Sequence, residues 1–329
     1  TAFSGAITSA AIYAGADNDV LRFGSTVSGA TVDAGSGVDV VRFSSLVSGS
    51  TLSGNGSTAD LTFSDAADTV VFKSFGGGTS VQFGAGANYG SFDNALTGVS
   101  IQSGSGADTL RFGAAFATGT IDAGAGVDSL VFASSMDGLI SGIYSAGEFV
   151  SFGAGRALAQ FSTAVTASSV IAGQYNDSLV FIGAAAGNTI DAGAGADTLR
   201  FNSSFSGALG GLNDAGNVVS FGAAATVQFG AVGASGNATS LQFNTSGDQL
   251  SFTGHVSNTS VLAGGGADTL TFVSSAFGVA ISGGASQSAT IGFFNGADYV
   301  SFDGTFTGTS INAGGGADTP VSYTHLRAH

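Results

Sequence analysis

Apolar residues return along this chain in a fixed pattern. In the stretch from Phe112 to Phe132 they fall at Phe112, Phe116, Ile121, Leu130 and Phe132. After Phe23 the same places hold Val27, Val32, Val41 and Phe43, and after Phe181 they hold Ala185, Ile190, Leu199 and Phe201. Residues 129–132 and 120–122 alternate outward and inward, the period of a half-buried strand. Between these segments lies Gly124-Ala125-Gly126-Val127-Asp128, whose glycines suit a tight turn with positive φ. A looser turn follows Phe132 and passes through Gly138. Each coil therefore predicts two short strands and two turns. A single coil cannot bury its apolar side, so coils must stack.

A polar column runs beside the apolar ones. Again and again an acid or its amide stands four residues before a phenylalanine: Asp19, Asp39, Asp68, Asn88, Asp108, Asp128, Glu148, Asp177, Asp197, Asn217, Asp248, Asp268, Asp298 and Asp318. Only Asp318 lacks the phenylalanine. Most steps along the column equal that from Asp108 to Asp128. Four are longer: Asp39 to Asp68, Glu148 to Asp177, Asn217 to Asp248, and Asp268 to Asp298. The long steps carry about half a coil more and bring extra phenylalanines such as Phe63, Phe161 and Phe243, which predicts an added half-turn or a protruding loop. The expected architecture is all-β, a parallel two-sheet β-solenoid with about 20 residues per coil over residues 1–319. At ~4.8 Å per coil, fourteen repeats would make a rod roughly 65 Å long.

Composition agrees with a packed repeat. Hydrophobic residues make up 43% of the 329, too many for a disordered chain. Glycine, at 55, has no three-residue period, which excludes collagen. Cysteine is absent, so neither disulfides nor thiolate metal sites contribute. No apolar run is long enough to form a transmembrane segment. A net charge of −15 argues against nucleic acid as a partner. The chain contains 21 aspartates and one glutamate, Glu148, so the column selects a short carboxylate beside a tight turn rather than acidity in general.

Stacked aspartates ~4.8 Å apart would repel by about 3–4 kcal/mol per pair at an effective dielectric near 20, or about 1 kcal/mol in water. Cations, hydrogen bonds from turn N–H groups, or retained protons would each answer that repulsion. The segments AGSGVDVVR (34–42), SGSGADTLR (103–111), AGAGVDSLV (123–131), AGAGADTLR (192–200) and AGGGADTLT (263–271) resemble the glycine-rich nonapeptide of RTX proteins, the calcium-binding β-roll family. AGGGADTP (313–320) begins the same way. The resemblance implies calcium between adjacent turns, with Asp39, Asp108, Asp128, Asp197, Asp268 and Asp318 as carboxylate ligands and backbone carbonyls completing each site. Asp19 and Asp177, in the same column, join the candidate ligands. The family's first glycine is Ala or Ser in these copies, and only one edge of each coil carries the motif, so one row of ions at most is expected. The alternative is an Asx-type turn, in which the side chain caps backbone N–H groups, as Asn88 and Asn217 suggest.

Other polar residues form weaker columns. Arg22, Arg42, Arg111 and Arg200 precede phenylalanines and are expected to face outward on one sheet. An outward column of Thr31, Thr51, Ser80, Ser100, Thr120, Ser169, Thr189, Ser260 and Ser310 resembles the face of ice-binding solenoids, or follows from plain β-propensity. His255 is the only histidine before the last five residues, and no Ser/His/Asp constellation can be built on it. No enzyme is expected. Residues 320–329 leave the pattern at Pro320 and resemble translated adapter read-through, which would make the solenoid a piece of a longer chain. The expected function is structural: a secreted or cell-surface segment of a surface layer, adhesin or fibre, stabilised by calcium and open to self-association end to end or side by side. Ice binding and the secretion segment of an exported enzyme are the alternatives.

Overall fold

The structure is a computed structural model that describes residues 1–233, 238–283, 289–294, 296–303 and 308–322. Residues 323–329, most of the aberrant tail, lie outside them. The chain divides into two units, Thr1–Thr163 and Ala164–His329. Each is a parallel β-solenoid of the expected coil length, and the described residues contain no helix.

Alternation along the strands creates the core. In Thr109–Phe112 and Ser129–Phe132, Leu110, Phe112, Leu130 and Phe132 point inward and are at most 1% exposed, while Arg111 and Val131 face out. The two strands pair one coil apart, Leu110 beside Leu130 and Phe112 beside Phe132. Equivalent phenylalanines consequently stack with nearly parallel rings, at 5.0 Å for Phe92–Phe112 and 4.6 Å for Phe112–Phe132. Burial of each such side chain is worth about 1.5–3 kcal/mol.

Most turns before a phenylalanine strand require glycine, although the one at residues 64–68 has none. Gly124 and Gly126 have φ of 83° and 144°, as their spacing predicts, and a Cβ on Gly126 would lie 1.7 Å from the Gly106 carbonyl oxygen. The looser turn is more ordered than expected. It contains a two-residue strand: Ile7–Thr8, Val27–Ser28 and Val47–Ser48 form a small sheet of their own. Val27 and Val47 are fully buried there, and Gly29 and Gly49, both with positive φ, turn the following corner.

The long steps are added half-turns. In unit 1, Ser50–Thr62 runs through a corner. Its first residues pair with Thr31–Asp33 and its last with Val38–Phe43. Phe63 thereby stacks on Phe43 at 5.1 Å and on Phe83 at 4.7 Å. The next phenylalanine strand, Thr69–Phe75, lies on the opposite sheet, over Ser50–Ser53. A second phenylalanine stack starts there, with Phe72 and Phe92 4.5 Å apart. Unit 2 makes the same exchange twice. Gln249–Phe252 pairs with Ala225–Phe229, and Tyr299–Asp303 pairs with Ala276–Gly283.

The half-turns correct three sequence expectations. The acid turns do not occupy a single edge, because a half-turn carries every later motif to the other side. In unit 1, Asp19 and Asp39 lie on one edge, and Asp68, Asn88, Asp108, Asp128 and Glu148 on the opposite one. The arginines do not share a sheet either: Arg22 and Arg42 are neighbours on one face of unit 1, and Arg111 is on the other. The Ser/Thr column divides in the same way, with Thr31 and Thr51 on one sheet and Ser80, Ser100 and Thr120 on the other. Pro320 does not end the pattern at once. Thr319–Ser322 pairs with Tyr299–Phe302, and among the described residues it has a strand on one side only, where proline is tolerated.

Candidate functional site

The acid column lies inside the coils. Asp39, Asp68, Asp108, Asp128, Glu148, Asp177, Asp197, Asp248, Asp268 and Asp298 are all buried, and Asp19 and Asp318 are half-buried. A buried carboxylate must be hydrogen-bonded or neutralised. One oxygen of the carboxylate meets that need. Oδ1 of Asp128 accepts the N–H of Asp108 at 2.9 Å, Oδ1 of Asp108 accepts that of Asn88 at 2.7 Å, and Oδ1 of Asp39 accepts that of Asp19 at 2.9 Å. In unit 2, Asp177 donates to Asp197 at 2.9 Å, Asp248 to Asp268 at 3.0 Å and Asp298 to Asp318 at 3.3 Å.

The rung does not need an acid beneath it. After a half-turn the carboxylate takes whatever N–H lies below: Val47 donates to Asp68 at 2.6 Å, Ala225 to Asp248 at 2.7 Å and Ala276 to Asp298 at 2.7 Å. Column residues also continue the backbone ladder, as when the Ser129 N–H donates to the Asp108 carbonyl at 2.8 Å. The side chain thus supplies the acceptor where the tight turn interrupts the backbone's own. Glu148 departs from the rule, since its Oε1 accepts the Ser145 N–H of its own turn at 3.1 Å.

The second carboxylate oxygen is the unusual group. Oδ2 of Asp19, Asp39, Asp68, Asp108, Asp128, Asp197 and Asp248, and Oε2 of Glu148, are buried without a hydrogen-bond partner. The amides in the column reveal what surrounds that position. Nδ2 of Asn88 donates to the carbonyl oxygens of Gly86 at 2.8 Å and Ser103 at 3.3 Å, and Nδ2 of Asn217 donates to that of Asp214 at 2.8 Å. The strand register places the carbonyls of Gly106 and Gly126 in the position of Gly86. An aspartate therefore sets an acceptor among acceptors, which favours a proton or a cation at Oδ2.

Burial, the largest cause, pushes Asp68, Asp108 and Asp248 up to about 6 and Glu148 and Asp197 up to about 7. Neighbouring acids add to the rise, Asp128 on Asp108 and Asp177 on Asp197. Asp128 and Asp268 are also raised, again chiefly by burial.

Among the described residues no group of three or more His, Cys, Asp or Glu side chains gathers to hold a metal. Calcium also draws on backbone carbonyls, and the position taken by Nδ2 in Asn88 faces the carbonyl oxygens of Gly86 and Ser103. In that respect the donor chemistry fits calcium. The candidate ligands occur in short blocks: Asp19 with Asp39, Asp108 with Asp128, and Asp177 with Asp197. Asp268 and Asp318 neighbour Asp248 and Asp298 respectively.

A second set of buried rungs was not legible in the sequence. Ala30 donates to Ser50 Oγ and Ala59 to Thr79 Oγ1, both at 3.2 Å, and Ser168 donates to Asn188 Oδ1 at 2.9 Å. These residues stand one place before the outward Ser/Thr column. The signal is weak because Ala30, Val99 and Gly119 fill the same place in other coils.

His255 is exposed, with Nδ1 2.7 Å from Ser275 Oγ. Among the described residues no helix is long and apolar enough to cross a membrane. The geometry defines a parallel β-solenoid cross-linked by buried acids. No family model, curated protein or solved structure matches the chain.

Proposed function

We propose that the chain is a structural, non-catalytic segment of an extracellular or cell-surface protein, such as a surface layer, adhesin or fibre. The observation that carries this reading is the repetition of the same side-chain rung on coil after coil within each unit, as at Asp39, Asp108, Asp128, Asp197 and Asp268. Side chains of one type recur where an enzyme of similar architecture would interrupt the repeat with unique groups on one face. Strands paired in register on successive coils suit a stiff spacer. An antibody raised against the full chain should label intact cells of the source. Labelling only after permeabilisation would overturn the reading.

The unpartnered Oδ2 atoms support a further element of this reading, in line with the RTX-like motif. Asp39, Asp108, Asp128, Asp197 and Asp268, with Asp19, Asp177 and Asp318 in the same ladder, would hold calcium together with turn carbonyls. Calcium would supply the positive charge that the buried oxygens lack, coupling folding to ion binding.

A further inference from the structure

Unit 2 carries an open groove on the sheet that contains Ala185–Asp191, Phe205–Gly210, Ala225–Phe229, Gln249–Phe252, Thr269–Phe272 and Thr290–Phe293. Two cavities, about 510 and 440 Å³, lie along it and share Thr271 as a wall. At one end the floor is low because Gly187, Gly207 and Ala208 carry little or no side chain.

Two outward rows cross these strands. Thr226, Gln249, Thr269 and Thr290 form one, and Gln228, Ser251 and Thr271 form the other, ending at Gly292. In a protein of net charge −15, no residue bounding either cavity is charged. Hydroxyls and primary amides both donate and accept, so the face matches a ligand of many neutral hydroxyls. Phosphate or sulfate would meet no cation there, and an acidic polymer would be repelled by the protein as a whole. Phe294, 53% exposed, borders the second cavity and offers an apolar surface beside the polar rows.

We propose that this groove binds an extended, neutral, β-linked polysaccharide strand lying along the stacking direction. The residues of such a chain repeat at nearly the spacing between neighbouring strands, ~4.8 Å. Successive sugars can then meet successive Thr, Ser or Gln side chains in register. Phe294 lies against the C–H face of a sugar ring, the usual role of an exposed aromatic beside polar groups. A few convergent polar groups over a shallow concavity are enough to orient such a ligand. The site depends on this face alone and stands whether or not the acid ladder holds calcium.

Isothermal titration of the full chain with cellohexaose tests the proposal, with maltohexaose, whose α-linked chain coils, as the control. Gly292→Trp blocks the groove without strain, because a Cβ at Gly292 meets nothing within 4 Å. The double variant Gln228→Ala/Gln249→Ala removes one amide from each row. Cellohexaose should bind more tightly than maltohexaose. The double variant should weaken binding on the order of tenfold, as two lost hydrogen bonds imply, and Gly292→Trp should abolish it. Melting temperatures should stay unchanged in both variants. Absence of binding by cellohexaose, equal binding of maltohexaose, undiminished binding by both variants, or thermal hysteresis in ice without glycan binding would each overturn the proposal.

Discussion

In excess chelator the protein should melt at a higher temperature at pH 4.5 than at pH 8, by more than about 5 °C. The cause is the buried acid ladder. Folded Asp68, Asp108 and Asp248 titrate at about 6, and Glu148 and Asp197 at about 7, against 3.8 and 4.5 for the free carboxyls. Between these ranges the folded state holds protons that the unfolded chain has released. The stabilisation is therefore fully present below the unfolded values and is lost as pH rises through 6 and 7.

Excess calcium should reverse the trend. It binds the ionised ladder and raises the melting temperature at pH 8, and acid then competes it away. Circular dichroism melts across pH, with calcium and with chelator, separate the two ideas. A flat pH profile in chelator would contradict the account of Oδ2 among carbonyls. A melt at pH 8 indifferent to calcium would remove the ion and leave the ladder. Asp108→Asn should stabilise the chelated protein at pH 8, because its Nδ2 would donate where that of Asn88 does. Asp108→Ala should destabilise it by about 1–3 kcal/mol, since the buried N–H of Asn88 loses its acceptor.

Phe112→Ala should cost about 3–5 kcal/mol, the range for deleting a buried ring from a core that cannot collapse around the gap. Phe112 is 1% exposed, stacks on Phe92 and Phe132 and meets the edge of Phe116 at 5.3 Å. A solenoid is held by contacts between neighbouring coils, so the damage should be local. Native-state hydrogen exchange should show lost protection in the coils of Phe92, Phe112 and Phe132, with less change in the first coils. Arg111→Ala, on the same strand but exposed, should stay within about 0.5 kcal/mol. Equal losses in the two variants would mean that the phenylalanine stack is not what binds the coils.

Much of this fold is written in short-range sequence. Alternation in Thr109–Phe112, glycines at 124 and 126 and the acid four places before Phe132 are signals within one coil, and each forms the predicted local structure. Most candidate acids were legible for the same reason, since aspartate at a fixed distance from two glycines specifies a turn; Asp19 and Asp177, with one glycine each, were legible from the column's period. Ser50, Thr79 and Asn188 were hidden because apolar residues share their place in other coils.

What the sequence determined by itself is the period, the inward columns and the turn chemistry. Only the tertiary structure decided which edge each acid block occupies and what each carboxylate touches. The edge depends on the half-turns between Asp39 and Asp68, Asn217 and Asp248, and Asp268 and Asp298, an addition that no single coil records. The contact depends on the coil below, whose N–H groups arrive a full coil away in sequence and one strand spacing away in space.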